Sequence, residues 1–137
     1  MFRIRQQQQR SLGDQSFIGR LEEVLGEDFY GRKPTPEELT RVPFREMIEH
    51  GIEVARGYGL KTERDLAGFV LNMIRINPEF HRQPRINSIL KDASLEPPER
   101  REKLLTDVSD DEWEEAARMT DADDYWDREL KAPMARA

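Results

Sequence analysis

Apolar residues recur along this chain at helical spacing, and nowhere do they alternate with polar ones for long enough to argue a strand. Phe17, Ile18, Leu21, Val24 and Leu25 stand at offsets 0, 1, 4, 7 and 8, the spacing of one buried stripe, which predicts a first helix over about residues 5–26. Its amino-terminal half is weaker, and the four glutamines at residues 6–9 read as a polar helical turn, too short for a low-complexity tract. Residues 31–34 read as a loop. Thr35-Pro36-Glu37-Glu38 is then a capping box with proline at the first helical position, so a short helix starts there.

Pro43 interrupts that helix and opens the next, in which Phe44, Met47, Ile48, Gly51, Ile52 and Ala55 form the clearest amphipathic stripe in the chain. Gly57-Tyr58-Gly59 can end it through a left-handed cap. Thr62 and Asp65 form a second capping pair, for a helix carrying Leu66, Phe69, Val70, Met73 and Ile74. These two helices are expected to pack as a central antiparallel hairpin over residues 43–76, the stable nucleus of the fold. Asn77-Pro78 stops the second arm. A short helix over residues 85–91 carries Ile86, Ile89 and Leu90, another starts at Pro97-Pro98 and ends near Val108, and Ser109 with Glu112 marks one more start. Past Thr120 the apolar residues are too sparse to anchor a helix in the core without a partner. The fold class is therefore all-α, with a helical domain at 1–108 and an acidic extension at 109–137.

Length and charge narrow the classes. A chain of 137 residues is long enough for one core of packed helices. Apolar and charged residues each make up 36% and mean hydropathy is −0.85, so that core is lean. Twenty-two basic against 28 acidic residues leave a net charge of −6, which repels a phosphate backbone and argues against nucleic acid as a partner. No stretch reaches the roughly 18 apolar residues of a membrane span, and the start lacks the apolar run of a signal peptide, so the expected location is the cytoplasm. With no cysteine, disulfides and zinc-thiolate sites are excluded together. The charge is also uneven. Residues 107–129 hold eleven carboxylates against Arg118 and Arg128, whereas residues 1–20 hold Arg3, Arg5, Arg10 and Arg20 against Asp14.

Candidate chemistry is thin. His50 and His81 fit no paired-histidine metal pattern. His50 falls on the polar side of its helix and His81 in a proline-flanked loop, so both read as surface residues. Gly57-Tyr58-Gly59 follows a helix and lacks the lysine and hydroxyl of a phosphate loop, and no serine sits in a Gly-x-Ser-x-Gly turn. No catalytic residue, cofactor or metal ligand is expected. What stands out is Trp113, Tyr125 and Trp126 set among Asp121, Asp123, Asp124 and Asp127. Large rings in an acidic frame suit a partner-docking segment, with the rings as anchors and the carboxylates steering the encounter. The alternative is that Trp113 packs back on the helical core while Tyr125 and Trp126 pin the tail.

Residues 47–80, MIEHGIEVARGYGLKTERDLAGFVLNMIRINPEF, and residues 86–105, INSILKDASLEPPERREKLL, resemble small helical proteins encoded beside spike (VgrG), PAAR and adaptor genes in bacterial type VI secretion effector clusters. The likeness rests on Gly-Ile-x-x-Ala-Arg-x-Tyr-Gly at 51–59, Glu-Arg-Asp at 63–65, Ile-Leu-x-Asp at 89–92 and Pro-x-x-Arg-x-x-x-Leu at 97–104. Where that family often reads Phe-Asp-x-Asp-Pro followed by Pro-Trp, this chain has Phe80-His81-Arg82-Gln83-Pro84. The resemblance implies a non-enzymatic accessory role in loading or stabilising an effector on the spike, with the cognate effector or a larger adaptor as partner. The other expectation is an acidic immunity protein that plugs a basic toxin site.

Overall fold

A helix of 29 residues, α1 (Phe2–Tyr30), leads the chain and packs chiefly on the helix at Phe44–Gly57. The computed structural model describes the backbone of residues 2–130 and the side chains of residues 14–130. The side chains of residues 6–9 and of Arg3, Arg5 and Arg10, and all of residues 131–137, lie outside the described residues. Within them the chain is all-α, with seven further helices and one 3-10 turn. These are α2 (Pro36–Leu39), α3 (Phe44–Gly57), α4 (Glu63–Arg75), the turn at Phe80–Arg82, α5 (Pro84–Leu90), α6 (Pro97–Thr106), α7 (Asp110–Ala116) and α8 (Ala122–Glu129).

Phe17, Ile18, Leu21 and Leu25 of α1 are buried, while Val24, at the edge of the same arc, is left exposed. The helix does not stop at Gly26. A Cβ there would come within 2.7 Å of Leu39 and Pro34, so this glycine admits the loop that folds back over α1. The turn comes at Gly31, whose φ of 71° is readily reached only without a Cβ. The capping box at the start of α2 forms, with Glu38 N–H donating to Thr35 Oγ1 at 3.2 Å and Thr35 N–H to Glu38 Oε1 at 3.0 Å. Arg32 clasps the same carboxylate through two hydrogen bonds, at 2.8 and 2.7 Å. Arg32 and the Thr35 backbone hold Glu38 at a pKa of about 2.

The stripe on α3 is buried throughout, and α3 packs on α4 at its closest where Gly51 faces Val70. A Cβ at 51 would sit 3.0 Å from Val70 Cγ2, so the small residue sets how near the helices come. Residues 58–62 join them through Gly59, at φ 86°, and Thr62 caps α4 by accepting from Asp65 N–H. Leu66, Phe69, Val70 and Met73 carry α4 into the interior. Ion pairs Arg20 to Glu63 and Arg75 to Asp28 tie α4 to α1 across the surface, where such pairs add little free energy.

The last part of the chain joins this core. Val108, Ala116, Tyr125, Trp126 and Leu130 belong to the same buried cluster as the α1, α3 and α4 residues. The interior is thus continuous across residue 108, and α8 is a helix in its own right. The expectation that nothing past Thr120 could anchor a helix is corrected: two rings and Leu130 bury enough apolar surface, and Asp121 caps the helix by accepting from Asp124 N–H at 3.0 Å. Among the described residues no helix is long and apolar enough to cross a membrane.

Candidate functional site

Tyr125 and Trp126 meet edge to face at 5.1 Å and lie against the polar side of α3. Tyr125 OH pairs with His50 Nε2 at 2.7 Å, and the His50 ring stands edge-on to Trp126 at 5.8 Å. His50 is therefore half-covered by α8, contrary to its expected place in solvent. Burial and the nearby Glu129 and Glu79 push the Tyr125 hydroxyl up to about 12. Asn77, itself buried, donates through Nδ2 to the carbonyls of Ala117 at 3.2 Å and Thr120 at 2.8 Å, which fastens the α7 to α8 connection to the end of α4. Trp113 is half-buried and stacks on Phe80 at 6.4 Å.

Of the seven residues expected at an interface, the three rings thus pack on or into the protein's own core. Asp121, Asp123 and Asp124 stand at the exposed start of α8, where negative charge suits the helix dipole, and Asp127 is half-buried. A partner meeting this end meets carboxylates. A second acidic face lies between α1, α3 and the end of α8, where Asp14, Glu46, Glu49, Glu53 and Glu129 surround a shallow groove with Arg56 and His50.

Another concave surface differs in chemistry. α4 offers Arg64, Asp65, Gly68, Phe69 and Asn72 along one face, and α6 offers Pro97, Arg100, Arg101, Leu104 and Leu105 along one of its own. Between them lies a cavity of about 280 Å³, closed below by Leu60, Phe69, Phe80 and Leu90 and at one side by Trp113. Its inner lining is apolar and its rim is basic. No residue of α6 is fully buried; Leu104 packs partly buried against the core, and two arginines tie the helix down. Arg100 donates to the carbonyls of Tyr58 at 2.7 Å and Leu95 at 3.1 Å, and Arg101 pairs with Asp65. The other Asp65 oxygen accepts from Thr62 Oγ1 at 2.9 Å. Arg64 is exposed and makes no hydrogen bond or ion pair among the described residues. Leu105 is 79% exposed, the most open large apolar side chain described.

A buried polar cluster supports the floor of this groove. Tyr58 OH and His81 Nδ1 lie 2.8 Å apart, and Asn87 Nδ2 donates to Tyr58 OH at 3.2 Å and to the His81 carbonyl at 3.0 Å. These contacts hold the 3-10 turn that carries Phe80 against the end of α3. His81 is therefore interior and not loop surface. Burial drives its pKa down to about 4, the Pro78 carbonyl offsetting part of the effect, so the ring is neutral at physiological pH.

Sequence reasoning missed the groove. The available signals were a glycine inside the α4 pattern and the adjacent Leu104 and Leu105 in a helix with no other apolar stripe to bury. Compared with protein-family models, with curated proteins and with solved structures, the chain finds no match in any of the three.

Proposed function

We propose that this chain is a protein-binding accessory, a co-adaptor or co-chaperone that helps to load or stabilise a type VI secretion effector on its spike. One observation carries the reading: every residue lining the α4 to α6 groove except Trp113 lies inside residues 47–80 or 86–105, the two blocks that resemble the accessory family. The likeness therefore falls on residues that form an open apolar surface beside an exposed leucine, a surface suited to holding another chain. Deleting the gene should abolish export of the neighbouring effector while leaving that effector toxic when expressed alone. Undiminished export from the deletion strain would sink the proposal.

The acidic faces around α8 and between α1 and α3 favour one other reading, an immunity protein that covers a basic toxin site. Co-expression with the effector separates the two. An immunity protein restores growth, whereas a loading factor leaves the cells poisoned.

A further inference from the structure

We propose that the groove between α4 and α6 docks an acidic amphipathic helix of the partner, with one leucine- or phenylalanine-sized side chain entering beside Phe69 and Trp113 and a carboxylate of the same helix meeting Arg64. The inference rests on the reading of the chain as a protein-binding accessory and names the partner's chemistry at that site.

Three observations select this occupant. The cavity of about 280 Å³ has an apolar lining and opens beside Leu105, which is 79% exposed, so an apolar side chain entering it removes hydrated surface from both partners. Charge then sets the sign. Three arginines line the groove against the single carboxylate of Asp65, whose two oxygens are engaged by Arg101 and Thr62, and Arg64 makes no hydrogen bond or ion pair among the described residues. The groove is thus locally basic in a protein of net charge −6, and it attracts carboxylates that the acidic faces around α8 and between α1 and α3 repel.

Gly68 supplies the third. It lies inside α4 on the groove wall, where glycine weakens a helix, yet a Cβ built there meets nothing within 4 Å. No packing among the described residues requires it, and the space it leaves suits the backbone of a second helix lying close. The lining positions on each wall run over nine residues, from Arg64 to Asn72 and from Pro97 to Leu105, a rise of about 12 Å or two helical turns. A groove walled by two helices over that length suits a third helix laid between them.

The test uses the whole protein and a short helix-stapled peptide with leucines on one face and glutamates on the other. Two control peptides replace the glutamates by lysine or the leucines by alanine. Binding is read from Trp113 emission, since Trp126 is buried elsewhere, and from calorimetry. The glutamate-leucine peptide should bind roughly tenfold or more tightly than either control. Arg64→Glu should move the preference toward the lysine peptide, and Leu105→Asp should weaken binding by roughly tenfold, with melting temperatures unchanged because both side chains are exposed. Gly68→Ala should raise the melting temperature by about 3 °C and still weaken the peptide. Equal affinity for the glutamate and lysine peptides, or affinity indifferent to Arg64→Glu and Leu105→Asp, would overturn the proposal. If the peptides fail while the chain is still needed for effector export, the groove is wrong and the accessory role stands. If they bind as expected and export is indifferent to the chain, the groove stands and the accessory role falls.

Discussion

Gly26 and Gly68 are both glycines inside helices, and the surroundings assign them opposite roles. At Gly26 a Cβ would strike the ring of Pro34 and the end of Leu39, whereas at Gly68 it would enter open space. Gly26→Ala should cost about 1–2 kcal/mol through overpacking, while Gly68→Ala should gain about 0.5–1 kcal/mol from helix propensity. Urea denaturation of the two variants measures the difference, and stabilisation at both positions would show that the α1 to α2 loop is not tightly packed. The histidines teach a related lesson. Periodicity placed His50 on a polar face and His81 in a loop, correctly as far as their own elements go, but what covers them arrives from α8 and from Tyr58. A single-helix pattern cannot show which polar face a distant segment will occupy. Tyr125→Phe, which removes the hydroxyl paired with His50, should lose about 1 kcal/mol in the same assay.

At the scale of elements, the start signals were legible because each is a local hydrogen-bond arrangement of a few residues. Thr35 with Glu38, Thr62 with Asp65 and Ser109 with Glu112 all form as the spacing predicts. The α3 stripe was equally legible, since six buried positions in phase leave no other face to bury. Phe69→Ala, which truncates the ring shared by the α4 interior and the groove floor, should cost about 3–5 kcal/mol in chemical denaturation. Helix α8 was not legible. Its apolar content is small, and its stability comes from fitting two rings onto a surface that exists only once α3 and α4 have packed. Removing residues 120–137 should therefore lower the melting temperature by about 10 °C or more, since Trp126 is among the most buried side chains. A truncated chain that melts unchanged would mean the rings contribute nothing to the fold.

For the molecule as a whole, acid exposes two separate dependences. His81 has a folded pKa of about 4 against an ordinary 6.5, so the unfolded chain binds the extra proton between those values and stability falls as pH drops from 6.5 to 4. Allowing for solvent screening, the loss is roughly 2 kcal/mol. Glu38, held at about 2 against 4.5, stabilises the fold above pH 4.5, and that contribution is lost as pH falls through 2. His81→Gln should flatten the stability profile between pH 6.5 and 4 and leave the steeper fall below it. An unchanged slope in that window would place the titrating group elsewhere. The groove, too, is a whole-molecule property. Its walls come from α4 and α6, its floor from the 3-10 turn and α5, and its end from α7, so no local window of sequence contains it.

The contact between Tyr125 and His50 joins residues 75 positions apart, and Asn77 fastens the α7 to α8 connection to the end of α4. During synthesis this means that α1 through α6 leave the ribosome with part of their apolar surface still uncovered, and only the arrival of α8 closes it. A translation product cut short before that helix would expose an unfinished hydrophobic face to proteases and chaperones. The interior is thus finished by the segment that is made last, and the order of synthesis sets when the fold can close.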